Sequence, residues 1–294
     1  MVVQRKYGKD YINQSLGQID SNTWLIGSLV LCRSPYLSEK ATWNDDGDNS
    51  SYTLTAAPTP YYLTTSPPNS PFIKLVHEAG DASAVWSIGN CALCKVRYIE
   101  EGVTPELVTL DFVQDQHPSF DTPKVIHHAF GQTLDKAWPS LSEEWRLYYV
   151  NAVVNICKEM AEWKGNNISG VDNQNVPEYY LQPQGAKNFS SLQATCEAIS
   201  IDCSTFVFYY ADLGPTNIIV KEEPILGRVG IIDFKIAGYF PQGWIRTKFR
   251  LSSGMDLPTS ATSNPKWWRS EIQKALGENG FEDFAEDWMR WSAP

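Results

Sequence analysis

Two acidic positions and one amide, set close together in the last third of the chain, have the types and spacing that chemistry could use. Phe208–Asn217 reads FYYADLGPTN, and Gly230–Phe234 reads GIIDF. Asp212 and Asn217 stand in a D-x-x-x-x-N arrangement, and Asp233 follows an apolar run. A carboxylate able to meet a hydroxyl proton, with hard oxygen ligands for a divalent cation, is what phosphoryl transfer asks of a protein. Asp and Asn also close ordinary turns, and GPTN is turn-like. The pair together with the downstream IID run is more specific than either part alone. The apolar run predicts a strand, Arg228–Phe234, that ends near Asp233 on a rigid support.

Those residues need elements to hold them. Trp24–Cys32 (WLIGSLVLC) reads as one buried strand, and it is too short for a bilayer, which needs about 20 residues. Residues 34–70, rich in Ser, Thr, Pro, Asn and Asp, read as a long irregular stretch. Three strand candidates follow at Phe72–His77, Ala84–Ile88 and Cys91–Ile99, with a further short one at Lys124–His128. Thr104–Gln114 predicts a helix, capped by Thr104, with Pro105 first and Glu106 at the positive end of its dipole. From about Gly131 the pattern turns helical. Ser140 and Glu143 form a capping box ahead of Trp145, Tyr149, Val153, Ile156 and Met160 at helical steps. A second helix is expected at Ser191–Ile199, a short strand at Asn217–Val220, and two helices between Lys266 and Trp291. Strands first and helices after suggest two lobes.

Composition narrows the partners. With 294 residues, 43% of them hydrophobic, the chain can bury a substantial core. Its net charge of −10 and the lack of a basic run exclude nucleic acid as an obligate partner. No apolar segment follows the early cations, so the N-terminus is no secretory signal, and a cytoplasmic protein with no membrane partner is expected. Cys91 and Cys94 form a C-x-x-C, but no second Cys or His pair follows at a zinc spacing, and the six cysteines read as free thiols.

The segment FYYADLGPTNIIV…GRVGIIDFKIAGYFPQGW resembles the aminoglycoside phosphotransferase and choline kinase superfamily. It is most similar to the fungal group in which a loop H-G-D-L-x-x-x-N precedes a strand ending I-I-D-W or I-I-D-F. The resemblance covers about residues 72–250. It implies an α+β, bilobal protein-kinase-like fold: an N-terminal arm over 1–70, a small β-rich N-lobe over 71–130 and a larger helical C-lobe over 131–294. By the same resemblance Asp212 is the catalytic base or orients the acceptor, while Asn217 and Asp233 hold Mg2+. Lys95, in CALCKVR, corresponds to the lysine that contacts the α- and β-phosphates of ATP, with Glu106 as its ion-pair partner. Two departures stand out. Tyr210 replaces the loop histidine, and Phe130 runs straight into Gly131 where the family has an adenine-gripping hinge. Either the cleft is built differently, or nucleotide binding is impaired, or the gene sequence was misassembled. The expected function is ATP- and Mg2+-dependent transfer of a phosphoryl group to a hydroxyl of a small-molecule metabolite. The alternative is a kinase-like fold without kinase activity, binding a metabolite or running different chemistry. The acceptor and the oligomeric state stay open.

Overall fold

The structure is a computed structural model and describes residues 16–26, 29–57, 70–79, 83–97, 100–123, 132–184, 186, 191–221 and 229–293. The described residues up to Glu101 form one compact unit, and those from Gly102 onward form a second. The sequence expectation had set the division near residue 130.

All described elements of the first unit are antiparallel strands. β1 (Leu16–Asp20), β2 (Thr23–Ile26), β3 (Leu29–Ser34), β4 (Trp43–Asp45) and β5 (Ser50–Ala56) make one sheet in the order β1-β2-β3-β5-β4. β6 (Ile73–Ala79), β7 (Ser83–Ile88) and β8 (Ala92–Arg97) make another, close to the three strands expected there. Two expectations are corrected. Trp24–Cys32 is not one strand but two that fold back on each other, with Thr23 opposite Cys32 and Ile26 opposite Leu29. Residues 43–56, expected to be irregular, form β4 and β5 instead. Their polar serines are buried because they find partners: the Ser51 hydroxyl donates to the Tyr36 carbonyl at 2.8 Å. Trp43 stacks on Tyr52 at 5.1 Å and anchors this edge in the core. The buried Asp45 carboxylate accepts from the Asn90 amide at 2.6 Å and so ties the β4 turn to the β7–β8 turn. At that second turn Gly89 has φ +58, and a Cβ there would sit 2.2 Å from an Asp45 oxygen. Only glycine fits.

The second unit mixes helices with short strands. In chain order it contains α1 (Glu106–Asp115), β9 (Gln132–Thr133), α2 (Leu134–Ala137), α3 (Glu143–Met160), β10 (Lys164–Gly165), α4 (Leu192–Ala198) and β11 (Phe206–Tyr210). It continues with β12 (Ile218–Val220), β13 (Gly230–Ile231), β14 (Ala237–Pro241), α5 (Gln242–Leu251), α6 (Trp267–Glu278) and α7 (Ala285–Ser292). The strands pair as β10-β11-β14 and β13-β12-β9. α3 buries Tyr149, Val153, Ile156 and Met160 of the expected helical-step face, together with Val154 and Cys157, and it packs against α6 and β11. Its cap is Ser142, which accepts from the Trp145 amide, rather than Ser140, whose hydroxyl donates to the Ala137 carbonyl. α1 begins at Glu106 without a side-chain cap, because the Thr104 hydroxyl is spent on Asp172. The whole is an α+β chain. No helix among the described residues is long and apolar enough to cross a membrane. The strand expected at Lys124–His128 and the short connection after Phe130 lie outside the described residues.

Candidate functional site

β11 is buried at all five positions and pairs with β14 from Phe206↔Pro241 to Tyr210↔Ala237. One further rung, the Ala211 amide donating to the Ile236 carbonyl at 2.8 Å, closes the ladder. Asp212 is the first residue past that rung, so a fully packed strand fixes where its carboxylate starts. The loop then tightens on itself. The Gly214 amide donates to the Asp212 carbonyl at 2.7 Å, and the Asn217 amide donates to the Gly214 carbonyl at 2.9 Å. The Asn217 side chain closes the loop: its Nδ2 donates to the Asp212 carbonyl at 2.8 Å and approaches the Asp212 carboxylate at 3.3 Å.

Asp233 returns to the same place by a second route. β12 pairs with β13, Ile218 opposite Ile231, and the Ile232 amide donates to the Asn217 carbonyl at 3.0 Å. The strand expected to end near Asp233 stops at Ile231. Asp233 itself lies beyond it in the left-handed region, at φ 63 and ψ 55, which a short polar side chain tolerates better than most. Its carbonyl accepts from the Lys235 amide at 2.7 Å and opens the Phe234–Ile236 turn.

Burial first and the Asp233 charge second push the Asp212 carboxyl up to about 6, against the opposing pull of Lys248 and the Asn217 amide. Two like charges held together by backbone geometry attract a cation. Lys248 is itself buried on α5, its Nζ 2.7 and 2.8 Å from the two oxygens of the fully buried Glu178 and 4.1 Å from the centre of the Tyr180 ring. The Trp244 indole also donates to Glu178, at 3.3 Å. This ion pair escaped the sequence reading. The only signal was a Lys flanked by Thr247 and Phe249 on an otherwise core-facing helical stripe.

Glu106 lies in the first turn of α1, which packs on the Phe234–Ile236 turn, and its charge reaches Tyr210. The second unit thus brings Asp212, Asn217, Asp233 and Glu106 into one neighbourhood. Lys95 belongs to the first unit, half-buried on β8 opposite Val85.

The donor set fits a hard divalent cation. Asp212 and Asp233 offer carboxylates. Because the Asn217 nitrogen is turned onto Asp212, its amide oxygen is the atom left to face an ion. Among the described residues no group of three or more His, Cys, Asp or Glu could hold a metal. A cation here therefore needs oxygens from substrate or water to complete its shell, the usual habit of Mg2+.

No family model matches the chain, and no curated protein does. Among solved structures, it is similar to the GDP complex of the aminoglycoside 2'-phosphotransferase-IIIa (TM-score 0.48, 10% identity, 75% of this chain and 81% of that one). It is also similar to the streptomycin–ATP complex of APH(2")-IIa (TM-score 0.47, 13% identity, 75% and 80%). A third is a choline/ethanolamine kinase family protein from Mesorhizobium loti (TM-score 0.42, 14% identity, 71% and 70%). At these scores the likenesses carry no weight for activity, and the functional reading rests on the chain's own residues.

Proposed function

We propose that the chain is an ATP- and Mg2+-dependent phosphotransferase acting on a hydroxyl of a small-molecule metabolite. The observation that carries this is the Asn217 side chain bonded to Asp212, with Asp233 returned to the same loop by the Ile232–Asn217 hydrogen bond. Asp212 accepts or orients the proton of the attacking hydroxyl; a carboxyl raised to about 6 is a better base than an ordinary one and still ionised near neutrality. Asn217 and Asp233 hold Mg2+, which when bound neutralises charge on the transferring phosphoryl group. The hydroxyl oxygen forms the new bond to phosphorus, the bond to the departing ADP oxygen breaks, and the proton passes to Asp212. Lys95 is assigned to the donor phosphates and Glu106 to orienting that lysine on the sequence resemblance alone.

Thermal unfolding with ATP alone, Mg2+ alone and the two together tests the proposal. Mg-ATP at about a hundred times its dissociation constant adds about 2.7 kcal/mol of stability, which the single components do not reproduce. An unchanged transition with Mg-ATP removes the nucleotide from the function and leaves a metabolite-binding protein.

A further inference from the structure

Glycine at position 214 answers to a demand for space and not for backbone conformation. Gly214 has φ −98 and ψ 169, extended values open to any residue. A Cβ there would nevertheless lie 3.2 Å from the Met255 Cα and 3.6 Å from the Gly254 carbonyl oxygen, the first closer than carbon atoms comfortably pack. Two stretches of backbone therefore touch at this point: the loop of the proposed site and the turn that follows α5. Gly214 is also the joint between two residues of that site. Its amide donates to the Asp212 carbonyl at 2.7 Å, and its carbonyl accepts from the Asn217 amide at 2.9 Å.

The opposing turn, Ser253–Met255, continues directly from α5. The Ser252 amide donates to the Lys248 carbonyl at 2.9 Å, and the Met255 amide donates to the Ser252 carbonyl at 3.1 Å. The Met255 side chain is completely buried. One guanidinium on α6 then spans the turn. Arg269 donates from Nε to the Asp256 carboxylate at 2.6 Å, and from Nη1 to the Phe249 and Arg250 carbonyls of α5 at 3.0 and 2.5 Å. The surface under Gly214 is thus fastened to α5 and α6 at once.

We propose that Gly214 is a positioning residue for Asp212 and Asn217, its missing side chain letting their loop rest directly on the Met255 backbone that Arg269 and Asp256 hold in place. This rests on the roles of Asp212 and Asn217 proposed above. A Cβ at position 214 pushes the joint away by a few tenths of an ångström, and both site residues move with it because both are bonded to it. Functional groups must be held within about 0.5 Å of their productive geometry, so a shift of this size is felt. The turn does not yield instead, because the atom in the way is Met255 backbone and not the end of a flexible side chain.

Gly214→Ala adds only the Cβ. Gly254→Ala is the control, since a Cβ there meets only the Ser252 hydroxyl, at an ordinary 3.6 Å. The probe is Mn2+ with ADP, read by electron paramagnetic resonance of free and bound Mn2+, beside calorimetric unfolding of each ligand-free chain. The expected result is an affinity for Mn·ADP about tenfold weaker in Gly214→Ala and unchanged in Gly254→Ala. The spectrum of bound Mn2+, which reads the arrangement of its ligand oxygens, changes in the first variant alone. Unfolding temperatures without ligand stay close to that of the parent. Equal affinity of parent and Gly214→Ala overturns the role of Gly214 while leaving the metal site standing. Equal weakening in both glycine variants overturns it as well, since the close contact is then not the cause. So does a Gly214→Ala chain that unfolds at clearly lower temperature without ligand, because the contact then supports the fold and not the placement of the site. A parent that binds no Mn·ADP sinks the function proposed above, and this inference with it.

Discussion

Replacing Lys248 with Met removes one half of a buried ion pair and leaves the other half in place. The two side chains are 4% and 1% exposed, so water cannot take over from the missing ammonium. Stranding one partner of such a pair costs about 3–5 kcal/mol, mostly the penalty of an uncompensated charge. Glu178 keeps the Tyr180 amide at 3.0 Å and the Trp244 indole at 3.3 Å, which places the cost near the lower end, about 3 kcal/mol. The double replacement Lys248→Met with Glu178→Gln leaves no charge behind. It should recover part of the loss, with a coupling of about 0.5–3 kcal/mol. Urea unfolding followed by tryptophan fluorescence measures all three, and Trp244 reports directly because its indole donates to Glu178. The m-value must stay constant for the midpoints to be read as stability. A single-variant cost below about 1 kcal/mol, or strict additivity in the double variant, would refute the account of the pair as a mutually dependent buried unit.

Asp233→Asn should abolish Mg2+-dependent nucleotide binding in titration calorimetry without lowering the stability of the free protein, because it relieves the charge repulsion on Asp212. The Asp212 carboxyl, raised in the folded state to about 6, binds its proton more tightly than in the unfolded chain. Its contribution to stability is present at acid pH and is lost as pH rises through about 6. Asp212→Asn should therefore stabilise the protein at pH above that value, with the gain shrinking in unfolding curves taken toward the ordinary carboxylate range. Gly89→Ala should destabilise the first unit by at least about 1–2 kcal/mol from its left-handed backbone alone, before the clash with Asp45 is counted. A loss smaller than that in urea unfolding means that the turn relaxes.

The parts of the site that could be read from sequence are those whose geometry is local. Asp212 and Asn217 meet through hydrogen bonds that span only a few residues, so their spacing alone told of their meeting. Lys248 and Glu178 are brought together by tertiary packing, and a Lys on an amphipathic helix reads as a solvated charge until burial is seen. β5 was hidden for a related reason. Its serines look like loop residues, and only the Tyr36 carbonyl and Asp48 explain their burial. The cap of α3 was misplaced by two residues because Ser140 and Ser142 both precede the helix. What decided between them was which hydroxyl the Ala137 carbonyl claimed. The left-handed backbone at Asp233 had no signal, since Asp adopts it only where the surrounding hydrogen bonds impose it.

The β11–β14 ladder also bears on how the site comes into being as the chain folds. Asp212, Asn217 and Asp233 all lie on one excursion that leaves β11 and returns to β14, and local rungs fasten it at both ends. Closing a loop of about 25 residues is entropically cheap and fast compared with joining distant segments. The relative placement of these three side chains thus draws chiefly on rungs within one segment of the second unit, with Asp121 and β9 adding rungs to β13 and β12. Their geometry should form with that segment's own folding, at low contact order, and should not wait for the first unit.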